Sequence, residues 1–213
     1  MGNGIFTEEV INSWLNGRCR DSIATTCHPD EVRRLIIQSM ANTVRFNGMV
    51  SSSNSGRKYS VLTHSWAVGM LAQDYAKTAA ADDRVQMDAR LMGMLHDIGE
   101  CIVGDVIYPL KSGAFKHEYD TTMGQLERDF RHWAAEYAFG VKDFGKRMEE
   151  TSSFVDAADR LMGEMELYGI SSVGRYNFGY YGKPMFEALL NDATEDQFRV
   201  TLDALTSSKG DEQ

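Results

Sequence analysis

Apolar residues recur at helical spacing along most of this chain, and that periodicity constrains the fold more than any other feature. Alternating runs of β-branched residues, which are typical of strands, are scarce, and only three prolines interrupt 213 residues. The pattern therefore predicts an all-α fold. A chain of this length is typical of a single domain, which we place at residues 1–213, and it can bury a sufficient core without disulfides or a structural metal.

Helix-start and helix-stop residues divide the chain into segments. Pro29 suits the first turn of a helix, and Thr194 with Gln197 forms a capping-box pattern before the last one. An apolar stripe over 119–137 predicts a long helix that contributes to the core or to a dimer seam. The predicted helices cover about 7–16, from 29 onward, 61–80, 84–100, 119–137 and 144–168, followed by two short ones. The predicted loops cover 48–60, 104–114 and 169–183, and residues 207–213 form a frayed tail.

The charge balance narrows the class of partner. The net charge is −9, because 31 acidic residues outnumber 22 basic ones. This argues against a nucleic-acid or anionic-membrane partner, whereas a small anionic substrate needs only a few local cations or a metal. The cysteines are sparse, the N-terminal segment lacks the features of a signal peptide, and no apolar run reaches the roughly 18 residues of a membrane span. We therefore expect a cytoplasmic protein.

Two histidines, His64 and His96, lie on apolar faces of predicted helices. A single histidine in such a position is usually a hydrogen-bonded core residue. His96, however, begins a ten-residue segment at the end of an apolar helix that also carries three carboxylates, those of Asp97, Glu100 and Asp105. Such a cluster is harder to explain as solvated surface, and it indicates a functional site.

Two aspartates compete for a place in the same site. Asp156 has Arg160 four residues later, which is the spacing of an exposed helix ion pair. Asp159 instead falls on the apolar stripe with Val155 and Met162, where a carboxylate must be paired, protonated or metal-bound. We therefore predict that Asp159 points inward and that Asp156 faces solvent.

His64, His96, Asp97 and Asp159 are thus four inward-facing side chains that carry metal-ligand atoms. Imidazole and carboxylate together suit a divalent ion such as Mn²⁺, Co²⁺, Ni²⁺, Fe²⁺, Zn²⁺ or Mg²⁺. The absence of cysteine from this set disfavours a structural zinc site. Four protein ligands would leave positions on an octahedral ion for water and for a phosphate oxygen.

These residues form an H…HD…D pattern, and in this the chain resembles the HD-domain metal-dependent phosphohydrolases over residues 45–168. The segments that carry the resemblance are VLTHS at 61–65, MLHDIGECIVGDVIYPLK at 94–111 and DAADRL at 156–161. Together they look like the 5′-deoxynucleotidase branch, in which a Glu, a Gly-Asp and a Pro-x-Lys follow the His-Asp pair. An Arg-aromatic pair of that branch matches Arg45–Phe46, although the aromatic residue is usually Trp. Phage enzymes that remove triphosphate from dATP share the core motif.

The resemblance implies one divalent ion on the four side chains and hydrolysis of deoxynucleoside 5′-monophosphates, the small-molecule substrate expected here. It also implies that Arg45, Phe46 and Lys111 bind the substrate and that Glu100 or Asp105 transfers the proton. A homodimer is a further expectation of the family. Two alternatives stay open: a dNTP triphosphohydrolase, and a non-catalytic nucleotide-binding regulator, against which the intact proton-transfer groups count.

Overall fold

The computed structural model describes residues 28–45, 59–105, 116–171 and 193–207. Regular structure in these ranges is helical, apart from an isolated antiparallel bridge between Val44 and Ser60, and this confirms the predicted all-α fold. The helices are α1 (Pro29–Asn42), α2 (Val61–Thr78), α3 (Asp83–Leu95), α4 (Glu100–Val103), α5 (Lys116–Thr121), α6 (Met123–Tyr137), α7 (Phe144–Ser171) and α8 (Glu195–Ser207). Among the described residues, no helix has both the length and the apolar character required to cross a bilayer.

Local side-chain chemistry explains where several helices begin. Pro29 occupies the first turn of α1, where its missing N–H costs no hydrogen bond. The carboxylate of Asp82 accepts from the N–H of Val85 at 2.8 Å at the start of α3. The hydroxyl of Thr194 accepts from the N–H of Gln197 at 3.2 Å, which confirms the predicted cap of α8.

Two glycines allow α2 and α3 to pack unusually closely. A Cβ at Gly93 would lie 2.7 Å from the Cα of Gly69, and a Cβ at Gly69 would lie 2.8 Å from the carbonyl oxygen of Arg90. Only hydrogen at these two positions permits such an approach of the backbones. The contact fixes the positions of two candidate ligands, because His64 lies five residues before Gly69 and His96 lies three residues after Gly93.

Helix α7 packs against both α2 and α3, and α6 and α8 complete the core. The apolar stripe predicted over 119–137 lies partly in this core. Leu126 and Phe130 are buried, and the rings of Trp133 and Tyr137 stack on each other with centroids 5.2 Å apart, partly buried against the core.

Three predicted boundaries were wrong. The helix expected over 84–100 ends at Leu95, and α7 extends to Ser171, three residues into the loop expected over 169–183, whose remainder lies outside the described residues. The long helix expected over 119–137 is interrupted at Thr122, which has a non-helical backbone, and the nearby carbonyl of Asp120 accepts from the side chain of Arg128 at 3.0 Å. The predictions for 7–16, for the loop segments 48–58 and 106–114 and for the tail from 208 lie outside the described residues.

Candidate metal centre

A tight turn after α3 presents the His–Asp pair. The ring nitrogen Nδ1 of His96 donates to the carbonyl of Gly93 at 2.7 Å, and in a continuing helix that carbonyl would accept from the N–H of Asp97. The backbone then forms bonds between residues three apart, from Ile98 to Leu95 at 3.3 Å and from Glu100 to Asp97 at 2.9 Å. This tightening ends α3 at Leu95 and places the side chains of His96, Asp97 and Glu100 around the same site.

The four side chains predicted as ligands meet between α2, α7 and this turn. Nε2 of His64 lies 3.0 Å from Oδ1 of Asp159 and 3.5 Å from Oδ2 of Asp97. Nε2 of His96 lies 3.2 Å from the same oxygen of Asp97 and 3.7 Å from that of Asp159. The ligand atoms of His64, His96 and Asp97 all lie within 4.8 Å of one another. The structure therefore brings these ligand atoms to one point, with the Asp159 carboxylate in contact with both imidazoles.

The four predicted ligands differ in how deeply they are buried. The side chain of His64 is fully buried, whereas that of Asp159 is 49% exposed. Asp159 is therefore less enclosed than its place on the apolar stripe predicted, because its carboxylate lies at the edge of the site. Asp156 is exposed, as predicted.

The donor atoms fit a divalent cation. His96 uses Nδ1 for the Gly93 carbonyl, so its buried Nε2 is directed at the carboxylates and makes no hydrogen bond of its own. A buried imidazole nitrogen that faces two carboxylate oxygens fits a metal ligand when neutral and an ion pair when protonated. Imidazole with carboxylate suits the divalent transition metals and magnesium.

The net charge around the site is a second argument for a bound cation. Arg45, 12% exposed, contributes the guanidinium, and its nitrogens lie within 3.6 Å of four carboxylates. Those carboxylates belong to Asp97, Glu100, Asp105 and Glu166, and Asp159 supplies a fifth close by. Five carboxylates and one guanidinium give a formal excess of four negative charges before any imidazole is protonated. Such an excess favours a bound cation.

The titration of the site reflects these contacts. Burial lowers the pKa of His96, but the neighbouring carboxylates of Asp97 and Asp159 raise it to about 10. Burial and Arg45 lower the pKa of His64, while Glu166 and Asp159 raise it, and the net result lies above the ordinary value. Burial raises the pKa of Asp97 and Asp159, but the imidazoles hold both below the usual range. Without an ion, protons on the imidazoles therefore balance part of the negative charge.

Both predicted proton-transfer residues lie next to this set. The side chains of Glu100 and Asp105 are 2% and 8% exposed, and each places an oxygen 3.6 Å from Nη1 of Arg45. Glu100 also forms, with Asp97 and Glu127, a group whose carboxylate oxygens lie within 4.8 Å of one another. Phe46 and Lys111, the other two predicted substrate-binding residues, lie outside the described residues.

The sequence reasoning missed Glu166 and Tyr59 in addition to Glu127. Glu166 is fully buried on α7 and contacts His64, Tyr59 and Arg45. Spacing alone carried a signal, since Val155, Asp159 and Met162 define a stripe whose next position is Glu166. Tyr59 had no comparable signal, because it reaches the site through the bridge at Val44 and Ser60.

Comparison with protein-family models identifies the kind of domain that contains this site. The model of a family described as HD domain matches residues 43–174, which is more than half of the chain and includes every site residue named above. The chain belongs to the HD-domain family. Members of the HD superfamily are metal-dependent phosphohydrolases, and in this HD domain the His–Asp pair is His96–Asp97. Comparisons with curated proteins and with solved structures gave no match.

Proposed function

We propose that this HD domain is a divalent-metal-dependent phosphohydrolase that cleaves the 5′-phosphoester of deoxynucleotides and that its substrates are deoxynucleoside 5′-monophosphates. The products would be a deoxynucleoside and inorganic phosphate. The observation that carries the hydrolase proposal is that two imidazoles and the Asp97 carboxylate lie within 4.8 Å of one another, with the Asp159 carboxylate in contact with both imidazoles and the buried Glu100 beside them.

The ligand set supports the metal requirement. A divalent ion held by His64, His96, Asp97 and Asp159 would lower the pKa of a bound water and offset the negative charge of a phosphate group. The protein side chains supply the rest. His96 is held by the Gly93 carbonyl and Asp97 by the tight turn, so the two ligands that are adjacent in sequence are already oriented.

Glu100 is our first choice for proton transfer. It lies four residues after His96 at the end of the tight turn, its side chain is buried, and its backbone N–H bonds to the carbonyl of Asp97 at 2.9 Å. In this position its carboxylate can accept the proton of an attacking water and return it to the departing sugar oxygen. Asp105 is the second choice, because it contacts the same guanidinium.

Arg45 is our candidate for a phosphate-binding cation within the described residues. Its guanidinium lies between Asp97 and the two proton-transfer candidates, so it is close to where the phosphoester would react. Guanidinium has five N–H donors in a fixed plane, and a phosphate oxygen can take up donors that now face carboxylates.

Product analysis tests the proposal. Purified protein is stripped of metal and then given Mn²⁺, Co²⁺, Mg²⁺, Ni²⁺ or Zn²⁺ in turn with each deoxynucleoside mono- and triphosphate. Phosphate, pyrophosphate and triphosphate release are quantified separately. We expect phosphate release from monophosphates with at least one ion and none in chelator. Triphosphate release from dNTPs alone would replace the nucleotidase assignment with a triphosphohydrolase.

Two variants make the assay specific. His96→Ala removes a proposed ligand, and His117→Ala removes an exposed imidazole on α5 that is not one of the proposed ligands. The first should lose both metal and activity, and the second should keep both. Nucleotide binding without turnover under every condition would instead support a non-catalytic regulator, and the hydrolase proposal would then be wrong.

A further inference from the structure

Glu166 is a fully buried carboxylate that the proposed chemistry does not use. It lies on α7, seven residues after Asp159 and on the same face of that helix. Its Oε1 is 2.5 Å from Nδ1 of His64 and accepts a short hydrogen bond from the hydroxyl of Tyr59, and its Oε2 is 3.3 Å from Nη2 of Arg45. Three donors, Arg45 from the end of one described stretch and Tyr59 and His64 from the start of the next, therefore converge on one carboxylate.

This convergence has an energetic reason. A buried carboxylate is strongly destabilising unless its oxygens are paired, and these three donors pair both oxygens of Glu166. An aliphatic side chain would fill the same space without that requirement. The presence of an ionisable group at a fully buried position therefore points to a role in the site rather than in packing.

The contact with His64 defines that role. A carboxylate only accepts hydrogen bonds, so the ring nitrogen that faces Glu166 must be the protonated one. In the neutral imidazole this leaves the lone pair on Nε2, which faces Asp97 and Asp159. His96 shows the same arrangement with a different acceptor, because its Nδ1 bonds to the carbonyl of Gly93.

We propose that Glu166 is a positioning residue that fixes the tautomer and the ring orientation of His64, so that Nε2 is presented as a metal ligand. Tyr59 and Arg45 in turn hold the carboxylate of Glu166 in place. The inference rests on the proposed metal site. An outer carboxylate of this kind orients the imidazole and raises its basicity, and its loss typically weakens metal binding about 10–100-fold.

Zinc affinity measures this role without any substrate. Metal-free wild type, Glu166→Ala, Glu166→Gln and Glu164→Gln are titrated with Zn²⁺ against a competing chelator. Glu164 is the matched control, since it lies two residues away on α7 and is exposed. We expect Glu166→Ala to bind about 10–100-fold more weakly, Glu166→Gln to lie between it and wild type because the amide oxygen still accepts from Nδ1, and Glu164→Gln to match wild type.

Imidazole ¹⁵N spectra of the Zn²⁺-loaded wild type give a second readout that needs no variant. We expect the proton of His64 on Nδ1 and the zinc shift on Nε2. The opposite assignment would overturn the inference, and so would wild-type zinc affinity in Glu166→Ala. If that variant does not fold, as judged by circular dichroism of the metal-free form, Glu166→Gln and the wild-type spectra decide the question.

The two proposals fail in different ways. If wild type and His96→Ala bind zinc equally, the metal centre itself is wrong, and the role of Glu166 is wrong with it. If wild type binds zinc and hydrolyses nucleotides but Glu166→Ala binds zinc as tightly, only the positioning role is refuted.

Discussion

Raising the pH of the metal-free protein should destabilise it between neutrality and about pH 10. In the folded state the carboxylates of Asp97 and Asp159 raise the pKa of His96 to about 10, whereas its ordinary value is 6.5. A group whose pKa is higher in the folded state than in the unfolded state stabilises the fold most at pH values at which it is protonated in both states. The contribution of His96 is therefore complete below pH 6.5 and is lost as the pH rises to about 10.

The size of the effect follows from the same two values. One pH unit corresponds to about 1.4 kcal/mol, so the interval from 6.5 to about 10 corresponds to roughly 5 kcal/mol for His96 alone. We treat this as an upper limit, because His96 shares its carboxylates with His64. Even half of it would be a large part of the 5–15 kcal/mol by which domains are usually stable.

Urea unfolding in chelator measures this contribution. The free energy of unfolding is determined from pH 6.5 to 10 for wild type, His96→Asn and the exposed control His117→Asn. We expect the difference between wild type and His96→Asn to shrink by several kcal/mol across this interval. The His117→Asn variant controls for replacing a histidine that is not a proposed ligand.

A bound ion should remove the pH dependence. An ion takes the place of the protons on the two imidazoles, so saturating Zn²⁺ should abolish the alkaline loss of stability that His96 causes. If the difference between wild type and His96→Asn does not change with pH in chelator, the ion pairs do not hold a proton on His96, and the reasoning is wrong.

Three further predictions concern single residues. Asp159→Asn should lower turnover more than about 100-fold, because it removes an anionic ligand. Asp156→Asn should keep wild-type turnover and stay within about 0.5 kcal/mol of wild-type stability, because Asp156 is exposed. Equal turnover of the two variants would refute the ligand role of Asp159. Glu100→Gln should keep its metal by elemental analysis and lose about 10²–10⁴-fold in rate, so that loss of metal would contradict a proton-transfer role. Gly93→Ala should destabilise the protein by about 1–3 kcal/mol in urea, since its Cβ meets the backbone of Gly69 at 2.7 Å, and unchanged stability would show that the two helices separate freely.

Periodicity predicted the inward positions of His64 and Asp159 because both lie on long amphipathic helices. Asp159 follows Val155 by four residues and precedes Met162 by three, and both apolar residues are buried in the core. The spacing alone therefore distinguished Asp159, which contacts both imidazoles, from the exposed Asp156. The helical positions of His64 and the capping residues of α8 were predictable for the same reason.

The turn at the His–Asp pair was not predictable from propensity. Residues 84–100 contain no proline, and the apolar pattern continues through Ile98 and Ile102. What ends α3 is a side chain, the ring of His96, which takes the Gly93 carbonyl from the helix. A competition of this kind between side chain and backbone depends on the ring orientation that the folded site imposes.

The bridge between Val44 and Ser60 was hidden for a different reason. It joins residues at the ends of α1 and α2, with the N–H of Arg45 bonded to the carbonyl of Tyr59 at 3.0 Å. Residues paired across a connection leave no periodic pattern in the sequence, so the pairing of Tyr59 and Arg45 around Glu166 could only be found in three dimensions.

The surroundings of Arg45 also change how its predicted role must be understood. The family resemblance implied a cation for the substrate phosphate, but its guanidinium contacts the carboxylates of Asp97, Glu100, Asp105 and Glu166. A phosphate that approached these side chains alone would meet more negative than positive charge and would be repelled, so we expect Arg45 to bind a nucleotide phosphate only when a cation occupies the ligand set. The same carboxylates orient the guanidinium and attract a divalent cation. Phosphate binding at Arg45 would therefore depend on a cation in the ligand set. The carboxylates that attract the cation also cancel the positive charge of the arginine until the cation is bound.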